Sequence, residues 1–298
     1  MHENIFAFLG SGIVNQLKKT NFDGKLSEIR IRVDKPLMIK VGKDSFAVYN
    51  GELLPASGKS FKPSLNDIRE TMERISQYSF YAFESELTEG YITIPGGHRV
   101  GVSGQVVMES GNVKTWRYIS GINIRIAHSV YGAADSVIPF IWDKQNFKHT
   151  MIISPPGFGK TTLLRDIIRQ ISNKALTVGL VDERGEVAGS FQGIPQNDVG
   201  LRTDVISGCP KGTAMFMLLR AMSPEVIAVD ELGGEADTHA VDAVINAGVK
   251  LLCTAHGNSL EDARANPLLA PLISRGIFER FIVLGEFAKV TDVLNNQI

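Results

Sequence analysis

Short apolar runs near residues 150–153, 176–181, 226–229, 249–253 and 281–284, with helical stretches between them, constrain this chain more than any other feature. Strand-length runs that alternate with helices imply a mainly parallel sheet covered by helices on both faces. The helical stretches carry the matching periodicity. Leu163, Ile167 and Ile171 fall on one face, which Leu164 and Ile168 widen, and Val241, Val244 and Ile245 repeat the pattern later. In sheets of this kind ligands bind beyond the carboxyl ends of the strands, so those ends are where chemistry is expected.

One strand end carries a phosphate-binding pattern. Ser154-Pro155-Pro156-Gly157-Phe158-Gly159-Lys160-Thr161 follows Met151-Ile152-Ile153 and precedes the first amphipathic helix of this half. A small-residue loop ending in Gly-Lys-Thr lets backbone N–H groups surround phosphate oxygens. The lysine adds a point charge, and the threonine hydroxyl reaches Mg²⁺. Thr162, at the start of the helix, is a further phosphate contact. Ser154 stands where the pattern asks for glycine. Gly-Lys-Thr alone is short enough to recur by chance, so its neighbours decide its meaning.

A second strand end supplies acid. Val226-Ile227-Ala228-Val229 runs into Asp230-Glu231, about 70 residues after Lys160. An aspartate there holds Mg²⁺, and a following glutamate orients and polarises the attacking water. Glu183, after the run ending at Val181, is a second acidic candidate; with Arg184 it also reads as a simple strand-end ion pair. No arginine lies within these motifs. Positive charge for phosphoryl transfer is therefore expected from outside them.

Residues 1–128 have a different texture, α+β with short alternating strands. Glu28 to Val33 has period two, Asp34-Lys35-Pro36 breaks it, and Leu37 to Val41 resumes it. Ile68, Met72 and Ile75 fall at helical spacing after Ser64, a plausible N-cap. Gly96-Gly97 and Ser110-Gly111-Asn112 bound a hairpin-like stretch from Arg99 to Met108, and Trp116 to Ile126 is again strand-like. Residues 129–148, with Gly132 and Pro139, read as a connector and hinge to the domain at 129–298.

The 298 residues are 44% hydrophobic with a net charge of −1, ample for a core and without a broad basic footprint for nucleic acid. Cys209 and Cys253 lie far apart and read as free thiols in a reducing compartment. No apolar run reaches the ~18–20 residues needed to cross a bilayer. Glu3 and the lack of a basic leader argue against a signal peptide. A cytoplasmic protein that meets a membrane only through partners is expected.

The order of these motifs resembles a known family. A glutamate directly after the strand-end aspartate is similar to the division of P-loop ATPases in which an extra strand separates the phosphate-loop strand from the acidic one. Val249 to Thr254 is the natural candidate for that strand, which would deliver Thr254-Ala255-His256 beside the γ-phosphate. Leu218-Leu219-Arg220-Ala221 and Pro224 to Ala236 resemble the acidic-strand region of the type II and type IV secretion ATPases. Thr254 to Ser259 resembles their histidine box, and Leu180 to Arg184 their aspartate box. The likeness covers residues 120–285. Most members carry Gly-Glu where this chain has Asp230-Glu231. Within the superfamily, the whole chain is similar to the sporulation ATPases of endospore-forming bacteria.

The resemblance implies a RecA-like P-loop ATPase domain behind a smaller α+β domain, using ATP and Mg²⁺. It implies Glu231 as the catalytic carboxylate and His256 as a phosphate-sensing residue. It also implies a homo-oligomeric ring of six subunits acting on membrane channel or secretion proteins, peripheral to the membrane on the mother-cell side. Arginines would come from a neighbouring subunit or from the N-terminal domain, with Arg117 and Arg125 as first candidates and Arg99 and Arg220 behind them. The work implied is to power or gate a channel between mother cell and forespore. Two other readings stay open. One is a nucleotide-dependent nucleic-acid-handling ATPase with Arg30, Arg32 and Arg99 lining a groove, which the near-neutral charge disfavours. The other is a nucleotide-binding structural component with little turnover.

Overall fold

The structure is a computed structural model that describes residues 3–20, 26–56, 58–77, 83–143, 146–285 and 289–295. The chain divides into two compact units, Met1–His128 and Ser129–Ile298.

The first unit contains α1 (Glu3–Phe6), α2 (Ser11–Leu17), β1 (Leu26–Arg32), β2 (Met38–Val41), β3 (Asp44–Tyr49), β4 (Glu52–Leu54), α3 (Leu65–Ile75), α4 (Glu84–Thr88), β5 (Tyr91–Ile94), β6 (His98–Glu109) and β7 (Asn112–Arg125). Its strands form an antiparallel sheet in the order β4-β3-β2-β1-β7-β6-β5. The period-two reading of β1 has a direct counterpart: Ile29 and Ile31 are buried while Arg30 and Arg32 are exposed. Ser64 caps α3 by accepting the Asp67 N–H, and the Asp67 carboxylate accepts the Ser64 N–H in return, so two otherwise orphaned donors are satisfied. Ile68, Met72 and Ile75 then form the buried stripe of that helix. A two-residue turn at Ser110-Gly111 joins β6 to β7, so these strands are longer than the alternation alone marked.

The second unit contains α5 (Ile138–Ile141), β8 (Thr150–Ser154), α6 (Lys160–Lys174), β9 (Val178–Asp182), β10 (Thr203–Ser207), α7 (Lys211–Ala221), β11 (Val226–Val229), α8 (Glu235–Asn246), β12 (Lys250–His256), α9 (Leu260–Ala265), α10 (Ala270–Ser274), β13 (Arg280–Leu284) and β14 (Val290–Asn295). Its sheet runs β10-β9-β11-β12-β8-β13-β14, parallel throughout except for the antiparallel edge strand β14. β12 lies between β8 and β11, the position expected of the Val249 to Thr254 run.

Alternate strand residues feed two cores. Ile152, Val226, Ala228 and Leu252 face the cluster that α6 covers with Leu163, Leu164, Ile167, Ile168 and Ile171. Met151, Ile153, Ile227, Val229, Leu251 and Cys253 face the cluster covered by α7, α8, α9 and α10. A strand covered on both faces must be apolar at every position, which is why these strands read as unbroken runs.

Residues 129–148 differ from the expected connector. Ala134, Val137, Ile138, Ile141, Trp142 and Phe147 are buried in the α6 core. The Ala134 N–H donates to the buried Asp166 carboxylate of α6 at 2.8 Å. The segment is a covering layer of the second unit, because its apolar side chains remove one face of α6 from water. Among the described residues, no helix is long and apolar enough to cross a membrane.

Candidate functional site

The loop from Pro155 to Gly159 leaves the carboxyl end of β8 and enters α6 at Lys160. Gly157 and Gly159 adopt φ of 78° and 91°, left-handed backbone that a side chain would strain, and open space surrounds the Cβ position of Gly157. Phe158 and Pro155 are half-buried, Pro156 is exposed, and Thr162 is half-buried in the first turn of α6. Ser154 is the last residue of β8, aligned with His256 of β12. Its φ is not positive, so the position makes no conformational demand for glycine. Its buried hydroxyl donates to the Pro155 carbonyl at 2.9 Å. That accounts for a serine at this point of the loop.

Lys160 is only 6% exposed. Its ammonium sits 2.9 Å from Nδ1 of His256 and 3.8 Å from Oε1 of Glu231. Burial lowers the Lys160 pKa, while the carboxylates of Glu231, Asp230 and Glu186 work to raise it. The cation thus stands desolvated at the amino end of a 15-residue helix, where backbone N–H groups and the helix dipole already favour an anion.

Asp230 and Glu231 follow β11. The Thr161 hydroxyl donates to Oδ2 of Asp230 at 3.0 Å, and the Thr254 hydroxyl donates to Oδ1 at 2.6 Å. Burial raises the Asp230 pKa, and the bonds from Thr254 and Thr161 oppose the rise. Thr254 also accepts the Glu231 N–H at 2.8 Å, so one buried hydroxyl orders both acidic residues. Glu231 has φ of 55°, a left-handed conformation rare outside glycine and characteristic of functional sites.

The Glu231 carboxylate is held at both oxygens. Oε1 meets Nε2 of His256 at 2.8 Å, and Oε2 meets a guanidinium nitrogen of Arg184 at 3.0 Å. Lys160 donates to Nδ1, which assigns the ring proton to Nε2 and makes His256 the donor to Glu231. Burial alone would raise the Glu231 pKa; His256, Lys160 and Arg184 overcome it and hold the carboxyl below its usual range.

Lys160, Thr161, Asp230, Glu231 and His256 therefore converge at the ends of the adjacent strands β8, β12 and β11. Glu183 does not join them. Its carboxylate is 2.5 Å from the ammonium of Lys211, the first residue of α7. The alternative reading of Glu183 and Arg184 as an ion pair with each other does not hold, because these neighbours on the turn diverge to different partners, Lys211 and Glu231. Although no arginine lies within the phosphate-loop and acidic motifs, the fold brings Arg184 into direct contact with Glu231. Arg117 and Arg125 both lie on β7 of the first unit. Arg117 stacks over Tyr118 at 5.5 Å, and Arg125 stands opposite Arg99. Arg220 lies over Phe216 at 5.9 Å on α7. Arg30, offered for a basic groove, is ion-paired with Glu28.

Thr254, expected beside the γ-phosphate, instead bonds both acidic residues. Two contributors were not legible in the sequence: Lys211 and Arg165 act across the fold, with Arg165 donating to the carbonyls of Val187 and Glu186. A cavity of about 560 Å³ opens beside this cluster, lined in part by Glu183, Arg184, Lys211, Glu231 and His256.

Comparison with known proteins bears on the family and the fold. The family model described as sporulation stage III, protein AA matches residues 1–296. Stage III sporulation protein AA of Bacillus subtilis (strain 168) is 40% identical over 266 residues, covering 87% of this chain and 82% of that protein. The X-ray structure of the ATPase DotB from Legionella pneumophila superposes with a TM-score of 0.54 at 17% identity, covering 87% of this chain and 72% of that one. The pilus retraction motor PilT, crystallised with bound ADP, superposes with a TM-score of 0.57 at 15% identity, covering 92% and 78%. At these identities the two structures bear on the fold alone.

Proposed function

The chain belongs to the family of sporulation stage III, protein AA, and from that premise we propose that it is a RecA-like P-loop ATPase that hydrolyses ATP. The observation that carries the reading is the convergence of Lys160, Asp230, Glu231 and His256 at three neighbouring strand ends.

The loop from Ser154 to Thr162 cradles the phosphates, and Lys160 supplies their counter-charge. Mg²⁺ fits the oxygens present: Thr161 and the half-buried Asp230 carboxylate offer hard donors already in contact, and Mg²⁺ commonly takes one or two protein oxygens, with phosphate and water completing its shell. When bound, it neutralises charge on the β- and γ-phosphate oxygens. Glu231 orients a water molecule and accepts its proton as the water oxygen attacks the γ-phosphorus and ADP leaves. Glu183 is set aside as the base because its carboxylate is engaged by Lys211 of α7 rather than by the residues around Lys160. His256 donates to Glu231 and stands between it and Lys160, so it responds to whatever displaces the lysine.

On the scale of the cell, the proposed role is to power or gate a membrane-associated channel complex in sporulation, from the mother-cell side, as a ring of copies. Arg117 and Arg125 are proposed to complete the site of a neighbouring copy.

The test is phosphate release from ATP and Mg²⁺ by the purified protein. Glu231→Gln keeps ATP binding and loses turnover by about 10²–10⁴, the usual contribution of a general base. Lys160→Ala loses nucleotide affinity in a titration. Normal turnover in the first variant, or unchanged binding in the second, removes the reading. Single-stranded DNA leaves the rate unchanged; stimulation would favour the nucleic-acid alternative.

A further inference from the structure

The turn after β9 has the build of a fixed platform. Oδ1 of Asp182 accepts the N–H groups of Glu186 and Val187 at 2.9 and 3.0 Å, and Oδ2 accepts that of Ala188 at 2.8 Å. The Gly185 N–H returns to the Asp182 carbonyl at 3.1 Å. Arg165, reaching from α6, donates to the carbonyls of Val187 and Glu186 at 2.6 and 2.7 Å. These contacts tie the backbone from 182 to 188 to the strand that precedes it and to the helix that follows the phosphate loop. β9 is the hydrogen-bonded neighbour of β11, with Val181 opposite Val229, so the platform and Glu231 occupy adjacent strand ends. Glu183 is drawn to Lys211, and Arg184 to Oε2 of Glu231.

We propose that Arg184 is a positioning residue for Glu231, an arginine of the same chain that, together with His256, fixes the plane of the carboxylate at the edge of the cleft. The proposal rests on the hydrolysis reading above. A carboxylate held at one oxygen still pivots about its last bond. Donors from two different strand ends, one on each oxygen, remove that freedom. A base works only when a lone pair is aimed at its water within hydrogen-bond reach, and misplacement costs rate steeply. The Arg184 side chain is 65% exposed, and an exposed ion pair adds little to folding, so its loss should leave the fold intact and report on the site alone.

The experiment measures steady-state ATP hydrolysis and thermal unfolding for Arg184→Ala and Arg184→Lys in the full chain. For Arg184→Ala, kcat falls about tenfold, a fraction of the ~10²–10⁴ owed to the base itself. KM stays within about twofold, as for an interaction that matters only in the transition state. The unfolding midpoint is unchanged. Arg184→Lys recovers part of kcat, since an ammonium can still reach one oxygen. If the alanine variant proves unstable, the lysine variant, which keeps the charge, provides the same kcat-against-KM comparison. An unchanged kcat overturns the proposal, as does a raised KM with kcat intact, which would place Arg184 on the substrate. The two failures are distinguishable. Glu231-dependent turnover indifferent to Arg184 defeats this inference alone, whereas a wild-type protein that releases no phosphate defeats the hydrolysis reading and this inference together.

Discussion

At the scale of single residues, the site depends on a threonine as much as on its charged groups. Thr254 is fully buried, donates to Asp230 and accepts from the Glu231 N–H. Thr254→Val keeps the shape and removes both bonds, leaving an oxygen of the half-buried Asp230 carboxylate and the Glu231 N–H short of partners. We expect a loss of about 1–3 kcal/mol in urea unfolding, the usual penalty for unsatisfied buried groups, together with reduced phosphate release. The charged residues were legible because their types and spacing announce phosphate chemistry: Lys160 and Thr161 after a glycine loop, Asp230 and Glu231 after an apolar run. Thr254 was legible as part of the strand end expected beside the γ-phosphate, but its bonds to Asp230 and Glu231 show only once β12 lies beside β11. The Arg184–Glu231 contact was hidden for the same reason. The place of β12 was expected, but the adjacency of β9 and β11, which brings Arg184 to Glu231, was not.

At the scale of elements, legibility follows burial. β8, β9, β11 and β12 are covered on both faces and announce themselves as apolar runs. β10 and β14 are edge strands with half-buried and exposed residues, so Thr203-Asp204-Val205-Ile206-Ser207 gives no such signal. The stretch 129–148 was obscured differently: its apolar residues lack a sustained period, yet they pack on α6. Ile141→Ala should therefore cost about 2–5 kcal/mol in equilibrium unfolding, the range for truncating a core isoleucine. A change near zero would return the segment to the status of a linker. His149, just before β8, offers a pH-dependent contact. Its Nδ1 accepts the Leu251 N–H at 3.1 Å, pinning the start of β8 to β12. Burial, then the Lys250 charge, lowers its pKa, with Glu279 opposing. A histidine with a depressed folded pKa stabilises fully above its ordinary value near ~6.5, and that stability fades as pH falls through the lowered pKa. The urea midpoint of the wild type should therefore drop between neutral and mildly acidic pH, and His149→Gln should flatten part of that slope.

At the scale of the whole molecule, two units with separate cores share one chain: an antiparallel sheet in the first and a mainly parallel one in the second. The residues proposed for the chemistry in this chain lie at strand ends of the second. One feature of the second sheet sets a clock. β8, which launches the phosphate loop, is bonded to β12 on one side and β13 on the other, at the interior of the sheet. Its amide hydrogens can meet solvent deuterium only when the sheet parts in the middle, an opening close to full unfolding of the unit. Deuterium uptake by Thr150 to Ser154 should thus be among the slowest in the chain and indifferent to small openings at the rim. Uptake by Gly157 to Thr161 should be fast until a nucleotide shields it. The loop would open and close many times per second on a foundation that renews itself only over hours.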